Sequence, residues 1–236
     1  MAYPQAGMTP VIHADEETRG AFMIRVYQHL ALAVAAFIAF EAILFVTGIA
    51  EAFYNFLVGT GGIAWLLILG GFMIVNAIAS RSAHNLENPN AQYAGLFLLA
   101  AAEAVIFAPF LYLAFSLEGG TTTVGMAAVI TAVGFAALSV VALTTRKDLS
   151  FLRPIVMWGF IIALGLIVAS LIFGFQLGII FTVAMIGLAG ASILYQTQQI
   201  VREYPAWAHV GAAVSLFASV MLLFWYVLRL VMELRR

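Results

Sequence analysis

Two carboxylates stand inside long apolar runs of this sequence, Glu41 and Glu103. A charged group near the middle of a bilayer costs about 3 kcal/mol on the insertion scale, so Glu103, central in its run, has to be protonated, paired or in contact with water. Read functionally, it is a proton- or cation-responsive group. Read structurally, it is a neutral acid hydrogen-bonded to a neighbour. Pro109, six residues on, frees a backbone carbonyl at a similar depth and is positioned to kink the run. Glu41 lies nearer the end of its own run, at a depth comparable with Arg229 in the last one. A Glu41–Arg229 ion pair is therefore one expectation.

A second set of polar residues is periodic. Ser192, Gln196, Gln199 and Glu203 fall at offsets 0, 4, 7 and 11, one stripe of a helix. Such a stripe either lines a water-filled vestibule or marks a helix end reaching the interface. Constellations for enzyme chemistry are missing. His13, His29, His84 and His209 show no His-Glu-x-x-His or paired metal spacing, which leaves any metal site unknown. The sole lysine, Lys147, lies in a loop, so no helix offers a retinal Schiff base. Gly190-Ala191-Ser192 lacks the following glycine of a serine nucleophile turn. The chain reads as a non-enzyme, and nothing in it calls for a cofactor. Asn76 and His29 read as packing residues near helix ends.

The elements that position these residues are membrane helices. Of 236 residues 64% are hydrophobic and 9% charged, with a mean hydropathy of +1.08, against about 25% charged in soluble domains. There is no cysteine, which excludes disulfides and thiolate chemistry. A net charge of −1 without a basic block leaves nothing to neutralise a nucleic-acid backbone. Seven apolar stretches are long enough to span, near Phe22–Thr47, Gly62–Ala79, Gln92–Phe115, Thr122–Thr144, Pro154–Phe173, Gln176–Val201 and Ala208–Met232. Continuous apolar runs without period-two alternation mean helices rather than a barrel. The expected architecture is an all-α integral membrane protein, a seven-helix bundle of residues 22–236 behind an N-terminal tail of residues 1–21. That tail lacks the basic region of a signal peptide, and the first run reads as a mature span.

Basic residues orient the bundle. Arg19, Arg25, Arg81, Arg146, Lys147, Arg153 and Arg202 fall on one side, and only Arg229, Arg235 and Arg236 on the other. This bias places the N-terminus in the cytoplasm. The C-terminal arginines disagree, so the last segment either spans fully or is re-entrant; its length favours spanning. Small residues at spacing four promise close helix packing: Gly211, Ser215 and Ser219; Ala128, Ala132 and Ala136; Gly159 and Ala163; Gly165 and Ala169. The last span has the longest such row and should lie inside the bundle.

Three segments together resemble the Bax inhibitor-one family, also called the transmembrane Bax-inhibitor-motif family. They are Phe22-Met23-Ile24-Arg25-Val26-Tyr27-Gln28-His29, the loop Thr144-Thr145-Arg146-Lys147-Asp148-Leu149-Ser150, and Tyr195-Gln196-Thr197-Gln198-Gln199-Ile200 with Ser215-Leu216-Phe217. The resemblance runs in order over nearly the whole chain. It implies seven helices with the seventh central and, for members that transport, a pH-sensitive calcium leak gated by two aspartates on helices six and seven. The matching positions are Gln196 and Ser219. Two carboxylates sharing a proton titrate near neutrality because like charges resist ionising together; Gln and Ser cannot do so. Arg229 matches the family's arginine on the last helix and Arg81 the basic end of the second, and both join Glu41 as ion-pair candidates. The pore or gate candidates are Glu103, Gln196, Ser219 and Gln199.

Two functions follow from the resemblance. One is a calcium or cation leak, or a stress-response membrane regulator, without the aspartate latch; calcium enters only as a permeant ion. The other, suggested by the bacterial branch, is a non-transporting modulator of a membrane AAA protease that grasps the hydrophilic tail. The expected location is the bacterial inner membrane, multi-pass, with the lipid bilayer as the surrounding partner.

Overall fold

The computed structural model of the chain describes residues 9–85, 88–145 and 147–235. It contains eight α-helices among the described residues: α1 (Glu16–Val46), α2 (Ile49–Thr60), α3 (Gly62–Ala83), α4 (Pro89–Ser116), α5 (Gly120–Thr144), α6 (Leu152–Phe173), α7 (Ile179–Glu203) and α8 (His209–Leu234). All but α2 are long and apolar enough to cross a membrane. At 12 residues α2 is about 18 Å long, well short of a span. It lies between the first two expected spans, where no element was expected, and Tyr54 on it meets Tyr112 of α4 with ring centroids 5.4 Å apart.

Local chemistry sets the boundaries. Asp15 caps α1 by accepting from the Thr18 N–H at 2.6 Å, so the helix begins six residues before the expected Phe22, inside the anticipated tail. Asn88 caps α4 at the Asn90 and Ala91 N–H groups, with Pro89 in the first turn where its missing donor costs nothing. Gly174 closes α6 at φ 73°, a conformation that favours glycine. The α4 helix continues through Pro109.

The last helix is the axis. In the most apolar stretch of α8, 72% of residues are buried, against 6% for α6 and 11% for α3. Its small-residue row works as expected at Gly211, where an added Cβ would lie 3.1 Å from the Ala83 carbonyl oxygen. Gly159 likewise lies under Leu188, and Ala163 is buried. The other two rows are corrected. Ala128, Ala132 and Ala136 face outward, and the buried face of α5 is Thr123, Ala127, Thr131 and Ser139. Gly165 has nothing within 4 Å of where a Cβ would stand. Spacing alone does not choose between two parallel rows of one helix.

The two ends differ in what they gather. At one end the Val11 N–H donates to the Tyr204 carbonyl (2.9 Å), His84 Nε2 meets the Tyr204 hydroxyl (3.0 Å), and Gln198 reaches the α5–α6 loop. This is the basic end, carrying Arg19, Arg25, Arg81, Lys147, Arg153 and Arg202; Arg146 lies outside the described residues. At the opposite end, the outer one in the expected orientation, Arg235 donates to Thr123 Oγ1 (2.6 Å) and the Gly119 carbonyl (3.3 Å) where α4 gives way to α5. The continuous α8 therefore finishes opposite the start of α1, so the last segment runs the length of the bundle and does not turn back.

Candidate functional site

A cavity of about 700 Å³ lies between α3, α4, α6, α7 and α8. Its walls are aromatic and aliphatic, and its polar lining includes Glu103, Asn76, Ser192, Gln196, Ser219 and Arg229. A second hollow of about 630 Å³ at the outer end shares Arg229, Trp225, Leu177 and Ser170 with it. Of the seven pore, gate and ion-pair candidates, the fold brings four together here: Glu103, Gln196, Ser219 and Arg229. Three others lie elsewhere.

Glu103 projects from the middle of α4, buried at 7% exposure on the cavity wall. Across from it α7 and α8 meet in a closed ring. The Gln196 side-chain N–H donates to Ser192 Oγ at 3.1 Å, and the Ser219 hydroxyl donates to Gln196 Oε1 at 3.0 Å. Ser219 has then spent its proton, so the Ser192 hydroxyl is the donor in the 3.1 Å contact between the two serines. Each member donates once and accepts once. Such a cycle is mutually polarising and holds no net charge. It occupies the two positions, Gln196 and Ser219, where the resemblance places aspartates.

The remaining stripe of α7 divides. Gln199 donates to Glu203 at 2.8 Å near the surface, so Gln199 stands apart from the cavity and the stripe does not continue as a vestibule. The expected Glu41–Arg229 pair does not form. Arg229 Nε donates to Glu233 at 2.9 Å, one helical turn along, and its Nη2 donates to the Leu177 carbonyl; Glu233 also accepts from Thr182 at 3.3 Å. An i,i+4 partner on the same helix is always within reach. Both oxygens of Glu41 are instead buried without a hydrogen-bond partner, outside either cavity. Arg81 is exposed and joins no ion pair among the described residues. Asn76, read as packing, lines the cavity. His29 is a packing residue as expected, held by the Arg25 carbonyl (2.7 Å) and the Tyr93 hydroxyl (2.9 Å).

Sequence reasoning missed the clamp under the ring. Gln198 accepts the Leu149 N–H at 2.8 Å and donates to the Lys147 carbonyl at 2.9 Å, fastening the α5–α6 loop to α7. Arg202 adds a 2.6 Å ion pair with Asp148. The Ser150 hydroxyl and backbone N–H, with Arg202 beside them, hold the Asp148 carboxyl below its ordinary value. Two of the three segments that carry the resemblance therefore grip each other. Their charges and amides at neighbouring positions were the available signal.

Fold and site define a class: a multi-pass helical membrane protein with a partly polar cavity between its helices. A family model described as inhibitor of apoptosis-promoting Bax1 matches residues 19–236, and the chain belongs to this Bax inhibitor-1 family. An uncharacterized protein of Pseudomonas aeruginosa is 37% identical over 123 residues, 49% of this chain and 52% of that protein. The match thus spans about half of that relative's length. Two uncharacterized proteins of Neisseria meningitidis, of serogroups A and B, are each 27% identical over 189 residues, 78% of this chain and 81% of theirs.

Proposed function

We propose that this chain is a calcium or cation leak of a bacterial inner membrane, its basic end and N-terminus in the cytoplasm. The outer cavity is its vestibule, and the Ser192–Gln196–Ser219 ring is the closed barrier below it. One observation carries the reading: a cavity holding a buried carboxylate ends on a neutral hydrogen-bonded ring at the family's gate positions. A cation approaching from the outer end passes Arg229, whose charge Glu233 already balances, and meets the Glu103 carboxyl, which a bound cation would hold in its charged form. Passage then needs α7 and α8 to part at the ring. Each neutral hydrogen bond is worth only about 1 kcal/mol net, so a small helix displacement suffices. None of the three ring members titrates near neutrality, so opening does not follow the pH dependence of a shared-proton pair.

The test is calcium flux into proteoliposomes. Wild type should leak slowly and without the dyad's pH dependence. Glu103→Gln should lower the rate about tenfold, the scale of losing one charge-assisted interaction. The double substitution Gln196→Asp with Ser219→Asp should leak more as pH changes across neutrality. Absence of flux in all three proteins at any pH would end the proposal. The alternative, a non-transporting modulator of a membrane AAA protease, draws on the hydrophilic tail. From Pro10 onward that segment bridges to Pro205 and buries Val11, which leaves this reading with residues 1–8, outside the described residues.

A further inference from the structure

The cavity is open sideways as well as at its outer end. The α3 and α6 walls meet near the outer surface, where a Cβ on Gly62 would stand 3.4 Å from the Leu171 side chain. Deeper, the seam between them parts: Met73, a lining residue, is 55% exposed. These are also the two least buried spans. In a bilayer this slot faces lipid tails, yet behind it lie Asn76 and the ring. Polar groups facing hydrocarbon are costly unless something satisfies them. Asn76 makes no hydrogen bond among the described residues, so its amide is available.

We infer that the slot admits a single-chain membrane amphiphile with an uncharged hydrogen-bonding head, of the monoacylglycerol or fatty-alcohol kind. Trp65, Phe72, Phe160 and Trp225 supply an apolar bed for its chain. Asn76 and the outward lone pairs of the ring meet its hydroxyl groups. Charge selects against other lipids. The cavity's one cation, Arg229, is already paired with Glu233, so a carboxylate or phosphate finds no free counter-charge there. The volume falls inside the usual range of about 300–1,000 Å³ for small-molecule sites. A chain lying there would fill the vestibule and block it. The site itself does not depend on conduction.

The experiment uses the full chain in phosphatidylcholine nanodiscs with a diazirine-bearing monoacylglycerol as probe. Photolabelling should saturate and map to α3, α6 and α8. Unlabelled monoolein should compete about tenfold better than oleate. Asn76→Leu should weaken competition about fivefold, the loss of one neutral hydrogen bond. Ala218→Phe, which fills the cavity, should remove the saturable labelling while the lipid-facing residues Val129 and Val133 label as before. Labelling spread in proportion to lipid exposure would overturn the site, as would indifference to both variants. Equal competition by oleate would overturn the head-group assignment. Saturable labelling in a protein that passes no calcium would keep this site and remove the leak. Calcium flux with diffuse labelling would do the reverse.

Discussion

At the basic end backbones touch and loops are tied; toward the other end α3, α4, α7 and α8 stand around a hollow. A Cβ on Gly95 would lie 2.4 Å from the Ala79 carbonyl oxygen and 2.6 Å from the Ala83 nitrogen, so α3 and α4 meet there backbone to backbone. The Gln198 clamp, the Arg202–Asp148 pair and the His84–Tyr204 contact hold three connections in the same layer. The outer half has Arg229 and Arg235 reaching to carbonyls of neighbouring turns, with cavity between. The bundle is a cup with a fastened base. In lipid no hydrophobic force pulls helices together, so close backbone approach and polar ties must do it. Where both are sparse, space remains. Any path through the molecule therefore has its barrier in the basic half.

The contrast can be broken first at its glycines. Gly95→Ala forces two backbones apart and should cost about 3 kcal/mol or more in denaturant unfolding from detergent micelles. Gly70→Ala, in the outer half of α3 with nothing within 4 Å, should change stability by no more than about 0.5 kcal/mol. Equal effects would remove the distinction between the ends. Next come the two buried acids. Removing the unpartnered oxygens of Glu41 by Glu41→Met should raise stability by about 1 kcal/mol and leave calcium flux unchanged. A flux loss matching that of Glu103→Gln would instead put Glu41 on the path. The smallest effect is at the clamp. Asp148 binds its proton less readily folded than unfolded, so its contribution is present above the ordinary carboxylate value of about 3.9. It is lost as pH falls through the lower folded value. Protection of the Leu149 amide against hydrogen exchange, relative to the unstructured rate at each pH, should fall over that descent, and Asp148→Asn should abolish the dependence.

The seven spans and the central place of α8 were legible because length, apolarity and the Gly211–Ser215–Ser219 row are all local. The α2 helix was not, since 12 residues between glycines carry no spanning signal. The outward Ala128 row on α5 shows that small residues mark a possible seam without choosing its face. Among site residues, Glu103 was found by the cost of burying it, Gln196 by the polar stripe of its helix and Ser219 by its small-residue row, with the resemblance joining the two. Their joining through Ser192 needed the relative rotation of α7 and α8, which no spacing encodes. Glu233 is four residues from Arg229 and was readable, but it sits at the end of the span where an acid raises no alarm.

The axial helix is also the last of the eight along the chain. Chains emerge from the ribosome at about 5–20 residues per second, so the other helices wait seconds for their centre. Until then the Gln196 carboxamide, Thr182, Thr123 and the Leu177 carbonyl lack the partners that α8 brings them. A chain stalled before His209 would be an open ring of helices with bare polar groups turned toward lipid. The central packing of the bundle therefore closes only once its eighth helix has been made.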